Sequence, residues 1–341
     1  MAVWNYDMKR AQIFAVVYAR HRYSIGVLAL ETVGGNGTVR TRFDEVVDVT
    51  AIGRPNPLSS EKVLELAGRE QLTPSSQDEE RVLVLGIDVQ NDFMEGGALP
   101  VPNSPKDVEN FSRFIYQNLS SITRIAVSLD THRPQQIFHP AWWTDRDGQP
   151  PKPFTAIPVD AVRKGEWRPV YHRDQSVQYV EGLYQVGRRE LVIWPYHCLQ
   201  GTFGASLEGQ FANMVYFHSL ARKSTPYYIV KGQDPFTEMY GIVRPEFDPN
   251  HYVNQALLEE LSRYDKIVVG GEAKSHCVLE SIGQILEAFE DRTGFGERLY
   301  VLSDCMSPIP GFEEHTEKFF ESLQNDRGVH IVDSTWSLAG A

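Results

Sequence analysis

Six side chains in this sequence have the types and the placement to do chemistry together: Asp88, Asp130, His132, His197, Lys231 and Cys277. Each falls at or shortly after a short aliphatic run. Arg81–Ile87 leads into Asp88-Val-Gln-Asn-Asp-Phe93, and Arg124–Leu129 into Asp130-Thr-His132. Leu191–Ile193 leads into Trp194-Pro-Tyr-His-Cys-Leu-Gln-Gly-Thr202, Tyr227–Val230 into Lys231, and Lys266–Gly270 into Gly271-Glu-Ala-Lys-Ser-His-Cys277. A carboxylate, a lysine and a thiol can move a proton and attack a carbonyl carbon. Two imidazoles with a second carboxylate can hold a divalent metal such as zinc, iron or manganese, leaving positions open for water or substrate.

Taken singly, each residue has a plainer reading as well. Cys277 stands between a Gly-Gly turn and a helical pattern. The helix dipole and free N–H groups there favour a thiolate and can receive an oxyanion. A free cysteine is also often a small buried hydrophobe, and position alone leaves both readings open. Cys198 and Cys305 fit packing roles better. Asp88 follows an apolar strand, so its carboxylate needs a partner, and Lys231 can supply one. That pair is either a proton-handling device beside the thiol or a salt bridge between strands. Asp92 reads as a turn or capping residue. Asp130 and His132 share one side of a strand end because strand periodicity is two. His139 is either a further ligand or structural, and His172, His218, His251, His315 and His330 have no comparable context.

The elements that must position these residues alternate between strand and helix from about residue 80 onward. Further strands are expected at Leu299–Leu302 and Val329–Val332. Most of these runs are continuously apolar, as in strands buried on both faces. Val108, Phe111, Ile115 and Leu119 make one helical stripe, and Val278, Ile282, Ile285, Leu286 and Phe289 another. The expected fold class is α/β, a mainly parallel sheet with helices on both faces in three layers. Such sheets place ligands at the carboxyl ends of their strands, where the six residues fall. Residues 1–78 are expected to form an N-terminal extension, with β-like runs at Gln12–Tyr18 and Tyr23–Leu30, a Gly-Gly-Asn-Gly turn at 34–37 and a polar linker at 72–78. Residues 79–341 then form the main domain, interrupted by a long insertion at 133–190.

Bulk properties narrow the class. At 341 residues, with 42% hydrophobic and 23% charged residues, the chain has the make-up of a soluble globular protein. A net charge of -12 argues against nucleic acid or an anionic membrane as a general partner. No apolar run reaches membrane-spanning length, and the N-terminus lacks the order of a secretory signal. Three cysteines without a CxxC pair fit reduced thiols in a cytoplasmic setting.

The motifs in their order, Asp88-x-Gln-Asn-Asp-Phe93, Asp130-x-His132, Trp194-Pro-x-His-Cys-x-x-Gly-Thr202, Lys231 and the Cys277 segment, resemble the isochorismatase-like cysteine hydrolases over residues 80–335, and within them the metal-containing nicotinamidases. The resemblance implies a catalytic triad of Asp88, Lys231 and Cys277 and a divalent metal on Asp130, His132 and His197. It also implies a pyridine ring held between Phe93 and Trp194, with its nitrogen on the metal. The oxyanion hole would come from the backbone N–H groups of Ala273 and Cys277, next to a cis peptide between Glu272 and Ala273. The reaction implied is hydrolysis of a small amide, nicotinamide first, through a Cys277 thioester. Three features depart from the pattern: Asp-Thr-His in place of the commoner Asp-Trp-His, Lys274 in the Cys277 segment, and the insertion. The insertion could form a lid, reshape the pocket or build a homo-oligomer contact. The alternatives are an amidase of the same fold acting on another amide and a non-catalytic member that binds a ligand.

Overall fold

The structure, a computed structural model, describes residues 39–187 and 190–338. The expected runs at Gln12–Tyr18 and Tyr23–Leu30 and the turn at 34–37 lie outside these residues. Six strands form one sheet: β1 (Val82–Ile87), β2 (Arg124–Asp130), β3 (Tyr227–Lys231), β4 (Lys266–Gly271), β5 (Leu299–Leu302) and β6 (His330–Val332). Their spatial order is β6-β5-β4-β1-β2-β3, and every pairing is parallel. The central β1 and β4 are buried along their whole length, as their uninterrupted apolar runs require. At the edge, β3 instead leaves Tyr228 and Val230 exposed.

Among the described residues, seven helices have seven residues or more: α1 (Ser60–Ala67), α2 (Ser104–Gln117), α3 (Arg173–Gln185), α4 (Gly209–Ala221), α5 (Gln255–Leu261), α6 (Leu279–Ala288) and α7 (Glu313–Arg327). Alternation along β1 divides the core in two. Val82 and Val84 pack into the cluster that holds Phe111 of α2 and Phe211 of α4. Leu83, Leu85 and Ile87 pack into the one that holds Leu257 of α5, Ile282 of α6 and Phe320 of α7. Both faces of the sheet are thereby covered, the three-layer arrangement expected from the sequence. Among residues 39–78, α1 packs on α4. The carboxylate of Glu208 caps α4 by accepting from the N–H groups of Gln210 and Phe211, and also accepts from Gly53. No helix among the described residues is long and apolar enough to cross a membrane.

One expected strand belongs elsewhere. Leu191–Val192 pairs antiparallel with Ala156–Ile157, outside the six-stranded sheet. An apolar run of three residues carries no signal for which partner it pairs with, and the neighbouring insertion supplies one. The insertion has local structure of its own: Trp143–Thr144 pairs with Arg168–Pro169, and α3 follows. Trp142 and Trp143 are buried, their indole N–H groups donating to Ser176 Oγ and to the Ile137 carbonyl.

Candidate active site

The chemistry collects at the carboxyl ends of β1, β2, β3 and β4. The register pairs Asp130 with Lys231 across β2 and β3, and Ile87 with Gly271 across β1 and β4. Asp88 leaves β1 with a positive φ of 46°, which turns it out of the strand direction. His197 arrives by a different route from the one expected. The Cys198–Gln200 backbone runs beside His132, which donates to the Cys198 carbonyl and accepts from the Gln200 N–H, both at 2.9 Å. The displaced third strand therefore still delivers its histidine.

Lys231 is the hub. Its Nζ lies 2.9 Å from Asp88 Oδ2, 3.1 Å from Asp130 Oδ1 and 3.7 Å from Cys277 Sγ, and it donates to the Met239 carbonyl at 3.0 Å. Burial opposes its charge, yet the two carboxylates hold its pKa well above the ordinary lysine value. Burial pushes Asp88 up, with Lys231 pulling in the other direction. Ser128 Oγ donates to Asp88 Oδ1 at 2.5 Å and accepts from the Asp88 N–H at 2.9 Å.

Cys277 occupies a single π-helical turn, Lys274–Val278, that leads into α6. Burial pushes its thiol well above the ordinary value, against the pull of Lys231. Position at a helix start favours a thiolate in the sequence reading, but burial, with Asp88 and Asp130 nearby, favours the neutral thiol. The resting group is a thiol, hydrogen-bonded with Asp88. Cys198 and Cys305 are buried without disulfides. Asp92 caps the loop as expected, accepting from the Cys198 N–H at 2.6 Å and the Ala98 N–H at 3.3 Å.

Asp130, His132 and His197 each offer a ligand atom, all within 4.8 Å of one another and all on buried residues. Each imidazole places Nδ1 on a backbone carbonyl, His132 on Gly232 at 3.1 Å and His197 on Pro195 at 2.8 Å. That leaves each Nε2 facing Asp130 Oδ2, at 2.8 Å for His132 and 3.7 Å for His197. Gly232 has φ +75°, and a Cβ there would lie 2.6 Å from Asp130 Oδ1, so only glycine leaves the cluster room. His139 is outside this cluster. Its ring centroid is 6.1 Å from that of His132, and burial with the two neighbouring histidines lowers its pKa to about 3.

A small cavity of about 40 Å³ lies over Cys277 and the histidines. Phe93 and Trp194 both line it, and so do Phe138, Glu238, Tyr240 and His276. The insertion gives this cavity Phe138 as part of its wall. Sequence reasoning passed over Ser128, Glu238 and Tyr240. Ser128 lies inside an apolar strand, and the other two lie in a loop with no periodic signal.

The peptide between Glu272 and Ala273 is cis, as the resemblance implies. Gly271 before it has φ +129°, where a Cβ would lie 2.0 Å from the Ile87 carbonyl oxygen. The Glu272 carboxyl is buried and hydrogen-bonded to Asp107 of α2. Burial pushes Asp107 up to about 6, against hydrogen bonds from Ser307 and Glu272. A carboxyl whose folded pKa is raised favours folding while protonated. That benefit is complete below the unfolded value of about 3.8 and is lost as pH rises through about 6. Asp107→Asn is therefore expected to stabilise the protein at pH 8 by on the order of 2 kcal/mol, with the gain vanishing near pH 4. Thermal melting of both proteins across this range checks the sign; an equal effect at both ends would contradict it.

Comparison with known proteins places the fold. No family model matches the chain. It is similar to the nicotinamidase of Saccharomyces cerevisiae, 23% identical over 249 residues that cover 72% of this chain and 97% of that protein. It is also similar to the nicotinamidase of Escherichia coli, 25% identical over 206 residues, 58% of this chain and 72% of that protein. Among solved structures, the yeast nicotinamidase bound to the inhibitor nicotinaldehyde superposes with a TM-score of 0.52 at 21% identity, covering 74% of this chain and 99% of that one.

Proposed function

We propose that this chain, which has the isochorismatase-like fold of the nicotinamidases, is a cysteine amide hydrolase that converts nicotinamide to nicotinate and ammonia. The observation that carries this reading is the contact of buried Asp88 and Lys231 with Cys277, which lines a cavity together with Phe93 and Trp194. Asp88 accepts the thiol proton, and the sulfur attacks the amide carbon. The ammonium of Lys231 offsets the negative charge on sulfur. The backbone N–H groups of Ala273 and Cys277 receive the oxyanion. Asp88 returns the proton to the leaving nitrogen, ammonia departs, and water cleaves the thioester with Asp88 again as base. Phe93 and Trp194 hold the ring between them.

Asp130, His132 and His197 would hold a divalent ion; two nitrogens and one oxygen suit zinc, iron or manganese. Bound there, such an ion would supply a Lewis acid facing the substrate. Three unpaired cysteines and these products fit a cytoplasmic enzyme of NAD salvage.

The test is ammonia release from nicotinamide by the purified chain, set beside benzamide, which has the same carboxamide and no ring nitrogen. Nicotinamide is expected to be cleaved at least about 100-fold faster, since a site built for one polar contact loses it with the analogue. Chelation followed by a divalent ion should remove and restore that preference. Cleavage of a different amide with none of nicotinamide would replace the substrate, and cleavage of no amide would remove the enzyme reading.

A further inference from the structure

Glu238 is an acid inside the cavity wall that the mechanism does not use. It is 3% exposed. Its Oε1 accepts from the Tyr240 hydroxyl at 2.6 Å and from the Trp194 indole Nε1–H at 3.2 Å, an N–H that is shared with the Tyr240 hydroxyl oxygen at 3.0 Å. Its Oε2 accepts from the Tyr179 hydroxyl at 3.2 Å, and that hydroxyl oxygen in turn accepts from the Glu238 N–H at 3.0 Å. Tyr179 belongs to α3, inside the 133–190 insertion. The chain of contacts therefore runs from the insertion, through one carboxylate, to the single polar atom of Trp194.

We propose that Tyr179 and Glu238 are positioning residues that fix the tilt of the Trp194 indole, so that the insertion governs how tightly the cavity holds an aromatic ring. This rests on the reading that the ring of the amide lies against Trp194. An indole held only at its N–H, here shared between Glu238 Oε1 and the Tyr240 hydroxyl, can still rock about that point. Here Phe154 of the insertion, Tyr240 and His276 meet it edge-on, at 5.9, 6.2 and 5.7 Å between centroids and 84–88° between planes. The edges limit the rocking, and the carboxylate fixes the remaining angle. Burial, with the Glu238 charge, holds the phenols of Tyr179 and Tyr240 well above their ordinary pKa, so both stay protonated and donate at any working pH. Ring stacking is made in the ground state and the transition state alike, so loosening it raises KM and leaves kcat in place.

The test compares Tyr179→Phe with Ser176→Ala. Both remove a buried hydroxyl from α3. The Ser176 hydroxyl serves Trp142 and the Tyr171 and His172 carbonyls, away from the cavity wall. In 15N-tryptophan-labelled protein, the indole N–H resonance of Trp194, assigned with Trp194→Phe, is expected to shift upfield in Tyr179→Phe and to stay in place in Ser176→Ala. KM for nicotinamide is expected to rise about tenfold in Tyr179→Phe, with kcat within about twofold, an effect of about 1.4 kcal/mol. An unmoved Trp194 resonance, or an equal rise of KM in Ser176→Ala, overturns the proposal. So does a shifted resonance with unchanged KM. If the wild type cleaves no nicotinamide, the functional reading fails, and the resonance still decides whether Tyr179 and Glu238 position the indole.

Discussion

Cys277→Ala is expected to lower nicotinamide hydrolysis by about 10⁴-fold or more, and Asp88→Asn by about 10³-fold, with KM for nicotinamide little changed in both. The two losses have different causes. Alanine removes the atom that attacks. Asparagine leaves the sulfur in place but gives its proton nowhere to go. Burial keeps the thiol protonated, so the fraction already ionised cannot sustain turnover. The fold should survive Asp88→Asn, because Lys231 keeps Asp130 at 3.1 Å as a partner. Steady-state kinetics with a thiol-alkylation rate separates the cases. The carboxylate is one of the groups that raise the thiol pKa, so Asp88→Asn should alkylate at least as fast as wild type at neutral pH while hydrolysis falls. Unchanged hydrolysis would mean that Asp88 does not take the proton.

Lys231→Met should show its effect on the fold as well as on the rate. The substitution leaves Asp88 and Asp130 buried beside one another with no cation between them, one at 0% and the other at 7% side-chain exposure. Removing one partner of a buried ion pair costs about 3–5 kcal/mol, because the charge left behind is neither hydrated nor paired. Urea unfolding of the metal-free proteins measures it. The double variant Lys231→Met/Asp88→Asn removes one of the stranded carboxylates and should recover part of the loss. If the double variant is less stable than Lys231→Met, the pair is not electrostatically coupled as the distances imply.

What could be read from the sequence follows from how local each signal is. The central strands announced themselves because a strand buried on both faces must be apolar at every position, and Val82–Ile87 and Lys266–Gly271 are nearly so. The six chemical residues could be named because each follows such a run. Leu191–Val192 was misplaced because two residues of strand do not encode a partner, and its pairing with Ala156–Ile157 depends on the insertion. The protonated state of Cys277 was not legible either. A helix start is visible in sequence, but the burial that overrides it is set by residues far away in the chain. Glu238 was missed for a related reason: its three side-chain donors come from positions 179, 194 and 240 and meet only in the folded protein.

Ser128 has one consequence for the timing of turnover. Its hydroxyl donates to Asp88 Oδ1 while Lys231 Nζ holds Oδ2, so the carboxyl group cannot flip about its own axis without breaking both contacts. Oδ2 alone remains to carry the proton. The same oxygen must collect it from sulfur, pass it to the departing nitrogen and collect the next one from water. A proton relay with one berth needs no side-chain rotation between its steps, so each transfer waits only on the arrival of the next partner.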